Sequence, residues 1–232
     1  FKFLTKLSSF YFDKFIFIST CSNYGLMPND ELATEESILN PLSLYAKSKV
    51  NVEKFLLENK INNFSKTILR FSTAFGLSDR MRFDLTVNQF TFEAIVNKYI
   101  EIYDADTWRP YCHVLDFARA IKKVLIQENS TVDREVFNVG LDENNSTKRM
   151  LAKIIGNLIS DFNIDFKEEG SDARNYKVSF KKINDVLNFR PKHTLVDGIK
   201  EIIDFIKLRI DNYEYKSKGN YNINKNFQKF YW

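Results

Sequence analysis

Glycine, proline, cysteine and histidine are all scarce, with 7, 4, 2 and 2 respectively among 232 residues. Each scarcity excludes something. The glycines form no G-x-G-x-x-G or close relative, so the chain lacks the turn that lets backbone approach a pyrophosphate at a helix N-terminus. Cys21 and Cys112 have no metal-ligand spacing, and two thiols in a chain this long point to a reducing compartment, so a cytoplasmic location is expected. Two distant histidines leave no basis for a zinc centre. No apolar run approaches the ~20 residues of a membrane span, and Lys2, Lys6, Asp13 and Lys14, set among the first apolar residues, do not suit a signal peptide. The net charge of +4 is spread along the chain without a basic run, so neither a membrane nor a nucleic acid is expected as a partner. The chain begins with Phe1 rather than Met, and the expectation is a piece of a longer gene product.

What is present is an ordinary globular composition, 44% hydrophobic, with length enough for one large or two small domains. The stretch that organises it is Tyr45-Ala46-Lys47-Ser48-Lys49. Val50, Val52, Phe55, Leu56 and Leu57 follow, broken by Asn51, Glu53 and Lys54, and Pro41 lies upstream where it can help start a helix. On a helix, Tyr45 and Lys49 share one face, with Cβ atoms about 5–6 Å apart. A free phenol has a pKa of about 10, and bringing it near 7 takes about 4 kcal/mol. One positive charge at ~4 Å, at an effective dielectric of ~20, supplies about that much. The pair can therefore make a base that removes a hydroxyl proton as hydride leaves the same carbon. Taken alone, the short pattern reads as a packed tyrosine beside a solvated lysine; the rest of the chain is what points to chemistry.

The remaining elements follow in order. Residues 1–11 read as the end of an amphipathic helix. Phe15-Ile16-Phe17-Ile18 suits a buried parallel strand, ending in Ser19-Thr20-Cys21-Ser22-Asn23-Tyr24-Gly25. Ligands of open parallel sheets sit outside the carboxyl ends of strands, which places Thr20 at such an edge. Residues 26–44 read as a polar loop, with Asn29-Asp30 and Asn40-Pro41 as turn signals. Thr67–Phe71 is a second buried strand, giving a strand–helix–strand order and an α/β fold. A helix over 85–98, a strand over 100–103, a helix over 114–127 and a strand over 136–139 come next. Ser146 or Thr147 can cap a helix to about residue 160, and helices over 181–188 and 195–210 precede a tail from 211.

Five stretches, in order, resemble the extended short-chain dehydrogenase/reductase superfamily, in its NAD-dependent nucleotide-sugar epimerase/dehydratase branch. They are residues 18–25, Tyr45 to Lys49, Leu69-Arg70-Phe71-Ser72-Thr73-Ala74-Phe75-Gly76, residues 109–118 from Arg109 through His113 to Ala118, and Phe137-Asn138-Val139-Gly140. The resemblance implies the C-terminal part of a Rossmann-type doubly wound parallel sheet plus a smaller α+β substrate lobe. The nucleotide-binding part would take residues 1–80 and 110–140, the substrate lobe 81–109 and 141–210, and the tail 211–232. It implies an oxidoreductase or isomerase acting on a nucleotide-diphosphate sugar by reversible hydride transfer, in a homodimer when full length. Thr20 would polarise the sugar oxygen, Tyr45 would be the acid/base, and Lys49 would hold the nicotinamide ribose and lower the phenol's pKa. Ser19 and Ser72 would join Tyr45 and Lys49 at the cofactor. Thr20, Cys21, Ser22, Thr73, Arg82, Arg109 and Arg174 would meet the substrate, with a solvated loop as the other reading of Arg82 and a surface salt bridge of Arg174. His113 reads as structural.

The departures matter. Thr73 stands where the family usually has a phosphate-binding Asn, and Pro110 where it usually has Asp. Cys21 and Ser22 replace the Asp-Glu pair of sugar 4,6-dehydratases and cannot act as carboxylic acids, which argues against dehydration. A nucleotide-sugar reductase and an inactive sugar-nucleotide-binding protein stay open. The expected cofactor is NAD, with NADP open because the acidic residue that reads the ribose is absent along with the glycine turn. Weak or no NAD binding by this stretch alone, and an apolar sheet edge, follow from the same absence.

Overall fold

The structure, a computed structural model, describes residues 13–28, 31–58, 64–168, 170 and 173–209. The helix expected over residues 1–11, the Asn29-Asp30 turn signal and the tail from 211 lie outside these residues. In chain order the strands are β1 Lys14–Thr20, β2 Leu32–Ala33, β3 Ser65–Phe71, β4 Thr73–Phe75, β5 Tyr99–Tyr103, β6 Trp108–His113, β7 Glu135–Val139, β8 Asn145–Thr147, β9 Asn163–Lys167 and β10 Lys177–Val178. The helices are α1 Leu44–Glu58, α2 Thr86–Phe92, α3 Val114–Leu125, α4 Asn129–Val132, α5 Lys148–Gly156, α6 Lys181–Leu187 and α7 Leu195–Arg209.

The fold is α/β, with β1, β3 and β7 as parallel neighbours in that order. The apolar runs at 15–18, 67–71 and 136–139 produce it, because a parallel strand covered on both faces needs apolar side chains on both. Ile68, Leu69, Phe137 and Val139 are fully buried. Helix α1 carries the chain from β1 to β3, buries Ala46, Val50 and Leu56, and begins where the Ser43 hydroxyl accepts from the Ala46 N–H at 3.1 Å. Along Lys14–Ile18, β1 is only half-buried, as an edge strand would be.

A second sheet runs β4, β6, β8, with β4 parallel and β8 antiparallel to β6. Strand β6 was not anticipated as an element. Pro110 interrupts it without breaking it, because proline removes only one donor from the ladder. Helix α3 follows directly. His113 caps it through Nδ1, Asp116 lies in its first turn, and Lys122 and Lys123 lie in its last, an arrangement that suits the helix dipole. Thr147 caps α5 by accepting from the Met150 N–H at 3.1 Å. The loop expected over 26–44 contains β2, which pairs with β10.

Among the described residues, two apolar clusters fill the interior. One joins Phe117, Ala120 and Val124 of α3 to Leu69, Phe137 and Val139 of the first sheet and to Ile183 and Leu187 of α6. The other joins Ile199, Ile202 and Ile206 of α7 to Val87 and Phe90 of α2, Ile100 and Ile102 of β5, and Leu151 and Ile155 of α5. Among the described residues no helix is long and apolar enough to cross a membrane, and no group of three or more His, Cys, Asp or Glu could hold a metal ion.

Candidate active site

The carboxyl end of β1 runs into a tight helical turn, Cys21–Tyr24, and Thr20 opens that turn by accepting from the Ser22 N–H at 3.1 Å. Helix α1 then crosses this strand end with Tyr45, Lys49 and Glu53 on one stripe, each taking a different residue of β1. The half-exposed Tyr45 phenol comes close enough to the Thr20 hydroxyl for that hydroxyl to lower its pKa. Lys49 Nζ donates to the Ile18 carbonyl at 2.8 Å. The Ser19 hydroxyl donates to the Glu53 carboxylate.

Thr20, Tyr45 and Lys49 are thus together, and the lysine's ammonium lies 5.6 Å from the centre of the Tyr45 ring and 4.8 Å from that of Phe17. The expected drop in the phenol's pKa does not follow. Burial holds the Tyr45 pKa above its ordinary value, and the Thr20 hydrogen bond and the positive charge of Arg82 pull it back only in part. The ammonium is spent on the Ile18 carbonyl and on the faces of two rings rather than on the phenolic oxygen. Burial also lowers the Lys49 pKa, with the Glu53 charge opposing.

Several other candidates sit differently from expectation. Cys21 is corrected as a substrate contact: it is fully buried, its thiol donates to the Arg70 carbonyl at 3.2 Å, and burial pushes its pKa up to about 12. Ser19 is turned inward, its hydroxyl held by Glu53 and accepting from Asn23 Nδ2 at 3.2 Å. Ser72 is buried and donates to the Val139 carbonyl at 2.8 Å, joining the ends of β3 and β7. Thr73 opens β4 opposite Tyr111 and is half-buried.

Arg82 forks onto Asp84, with Nε 3.1 Å and Nη2 2.7 Å from its two oxygens, while its charge acts on Tyr45. Arg174 reaches Ser22, its Nη1 3.4 Å from the hydroxyl, which also accepts from the Tyr176 hydroxyl at 3.2 Å. The Arg109 guanidinium is buried over the Tyr176 ring and donates to the carbonyls of Trp108 and Arg174. It therefore seats the 174–176 segment. His113 is fully buried and bonded to Glu201 at 2.7 Å, which fits the structural role expected of it.

The sequence reading missed a buried polar network beneath this site. Glu53 and Arg70 form a forked ion pair, with Nη2 to Oε2 at 2.7 Å and side chains only 2% and 5% exposed. Arg70 Nη1 donates to the Tyr24 hydroxyl at 3.0 Å, and that hydroxyl donates to Asn138 Oδ1 at 2.7 Å. The signal was present: Arg70 is the one charge in the run Thr67–Phe71, and a charge in a buried strand needs a partner. A separate groove of about 400 Å³, lined by Ile38, Leu39, Pro41 and Val50 among others, includes none of Thr20, Tyr45 and Lys49.

Comparison with known proteins gives a consistent picture. A family model described as NAD dependent epimerase/dehydratase family matches residues 4–140. Protein CapI of Staphylococcus aureus is 26% identical over 209 residues, covering 82% of this chain and 62% of that protein. The chain thus spans less than two thirds of the length of that relative. Among solved structures, dTDP-glucose 4,6-dehydratase from Bacillus anthracis in complex with NAD matches with TM-score 0.77 and 23% identity over 91% of this chain and 66% of that one. UDP-glucuronic acid 4-epimerase from Bacillus cereus, in complex with UDP-glucuronic acid and NAD, matches with TM-score 0.74 and 25% identity over 88% and 64%.

Proposed function

The chain belongs to the NAD dependent epimerase/dehydratase family, and from that premise we propose that it carries the acid/base groups of an NAD-dependent nucleotide-sugar epimerase. One observation carries the reading. The Lys49 ammonium lies beside the Tyr45 ring and donates to the Ile18 carbonyl, two residues before Thr20, so that the phenol, the ammonium and the Thr20 hydroxyl share the carboxyl end of a parallel strand. A sugar hydroxyl entering between Tyr45 and Thr20 gives its proton to the phenolate as hydride leaves the same carbon, and takes it back in the reverse step. Thr20 donates to the sugar oxygen, fixes its position and stabilises its developing charge.

The residues present fit the nicotinamide-ribose end of NAD: the half-buried Lys49 ammonium and the Tyr45 hydroxyl are two donors on one helix face at the strand end. When bound, NAD supplies the hydride acceptor. Lys49 and Tyr45 would hold the ribose. Ser72, behind them, fixes the end of β3 against β7. On the substrate side, Arg174 and Ser22 lie together, and the charge of Arg82 acts on Tyr45. These are the groups we assign to the nucleotide diphosphate and the sugar, in a lobe drawn from residues 81–109 and 141–210.

Dehydration is disfavoured, because the two positions after Thr20 hold a buried thiol and a hydroxyl already shared by Arg174 and Tyr176. The upward shift of the Tyr45 phenol favours a second reading, in which the chain binds a sugar nucleotide without turnover. One experiment separates them. The protein that carries this chain is assayed with NAD against UDP-, GDP-, CDP- and dTDP-sugars, alongside Tyr45→Phe. Loss of turnover with sugar-nucleotide affinity retained supports the epimerase. Binding without turnover in both proteins supports the second reading, and an active Phe variant removes Tyr45 from the mechanism.

A further inference from the structure

A buried polar cluster has no part in the chemistry just described, yet it touches both elements that present a reacting group, β1 and α1. Glu53 lies on α1 two turns beyond Tyr45 and one beyond Lys49. Its carboxylate, almost wholly buried, accepts from Arg70 Nε at 3.1 and 3.2 Å, from Arg70 Nη2 at 2.7 Å, from Asn23 Nδ2 at 2.8 Å and from the Ser19 hydroxyl. Asn23 belongs to the turn that Thr20 opens, Ser19 precedes Thr20 in β1, and Arg70 lies in β3. Through the Tyr24 hydroxyl the same guanidinium reaches Asn138 in β7, whose N–H donates to Glu35 Oε1 at 2.7 Å.

We infer that Glu53 and Arg70 are positioning residues, a fixed joint that sets the height and rotation of α1 so that the Tyr45 phenol meets the Thr20 hydroxyl. The inference rests on the acid/base reading of Tyr45 given above. The reasoning is geometric. Tyr45 is half-exposed and Lys49 is held by one backbone carbonyl, so neither can fix the helix alone. Glu53 can, because a carboxylate held by four donor groups on three residues, Arg70, Asn23 and Ser19, has one position in which all are satisfied. Of the residues it gathers, Ser19 adjoins Thr20, Asn23 lies in the turn that Thr20 opens and Arg70 pairs with Ser19 across the sheet. A rotation of α1 that moves Tyr45 away from Thr20 must also pull the carboxylate off Ser19 and Asn23.

Stability alone does not require this pair, since a matched apolar pair often serves as well in a core. That difference supplies the test. In the protein carrying this chain, Glu53→Gln, Arg70→Met and the double variant Glu53→Met/Arg70→Met are compared by thermal unfolding, by kcat and KM, and by the pH titration of the ¹³Cζ signal of Tyr45, assigned with Tyr45→Phe. Turnover is measured with NAD and whichever sugar nucleotide of the panel above reacts fastest. The single variants strand a buried partner and lower the melting temperature. The double variant regains most of the lost melting temperature, yet its kcat stays down by about tenfold to a hundredfold with KM little changed, and its Tyr45 titration stays displaced from wild type. Recovery of kcat and of the Tyr45 titration together with stability overturns the inference and leaves a merely structural ion pair. If the double variant does not fold, Glu53→Asp decides by the same readouts, because it keeps the charge and draws it back by one methylene. Should Tyr45→Phe retain turnover, the acid/base reading falls, and the Tyr45 titration still decides the positioning.

Discussion

His113 and His193, the two histidines of the chain, stack with ring centroids 4.4 Å apart and planes 25° from parallel. Each is tied to a carboxylate from a different helix: His113 Nε2 lies 2.7 Å from Glu201 of α7, and His193 Nδ1 lies 2.9 Å from Asp116 of α3. The Leu115 N–H donates to His113 Nδ1, so in the neutral ring the hydrogen sits on Nε2 and faces Glu201. The stack joins both helices to the end of β6.

Replacing His113 by Ala removes the cap of α3, the contact with Glu201 and the edge-on packing against Phe75. A loss of about 2–4 kcal/mol in urea unfolding is expected. The kcat of the folded fraction should be unchanged. A loss of turnover without a loss of stability would give His113 a chemical role.

Gly76 lies against the same ring. Its φ is +102°, and a Cβ there would come within 2.1 Å of His113 Nε2. Gly76→Ala combines backbone strain with a clash against a side chain that cannot move aside. It should cost about 2–4 kcal/mol, read as a lower midpoint in thermal unfolding.

Asp116 sets part of the pH dependence of stability. Its burial favours the neutral acid, but hydrogen bonds from the His193 N–H and ring, the Lys192 N–H and Arg119 outweigh that and hold its carboxyl below the usual range. A pKa lowered on folding gives stability that is fully present above the unfolded value of about 3.9 and is lost as pH falls through the folded value. Unfolding free energies of wild type and Asp116→Asn should therefore differ by a constant amount from neutral pH down to about 5 and converge below about 4. A gap that widens on acidification would reverse the assignment.

Thr20→Val tests the phenol directly. The Thr20 hydrogen bond lowers the Tyr45 pKa, so its loss moves that pKa further up. A base that works as phenolate then becomes active at higher pH, and the rising limb of the kcat profile should shift to the alkaline side. Arg82→Leu should shift it the same way, because the positive charge of Arg82 also favours the phenolate.

The parallel strands at 14–20, 65–71 and 135–139 and helix α1 were legible because continuous apolar runs and a 3.6-residue pattern are local signals. The short strands β2, β4, β8, β9 and β10 were not, because two to five residues carry too little pattern and their pairing is decided by distant partners. At the site, the short spacing from Tyr45 to Lys49 placed both on one helix face, and strand-end logic placed Thr20 near them. The direction of the phenol's shift was not readable. It depends on where the Lys49 ammonium points, and Ile18, a backbone acceptor that sequence does not advertise, claims it. Cys21 was misplaced for a related reason: its thiol is buried and taken by another backbone acceptor, the Arg70 carbonyl.

Ser22 receives Arg174 and Tyr176 across sequence separations of 152 and 154 residues, and Leu26 pairs with Asn175 beside them. A growing polypeptide therefore leaves the ribosome with its Thr20 turn unfinished until more than four fifths of the described length has been made. Contacts of such long range slow the final assembly of a fold relative to its local helices. The surface that would receive a sugar nucleotide is thus among the last regions to close, and proteolytic clipping near residue 174 would open it while the parallel strands stay paired.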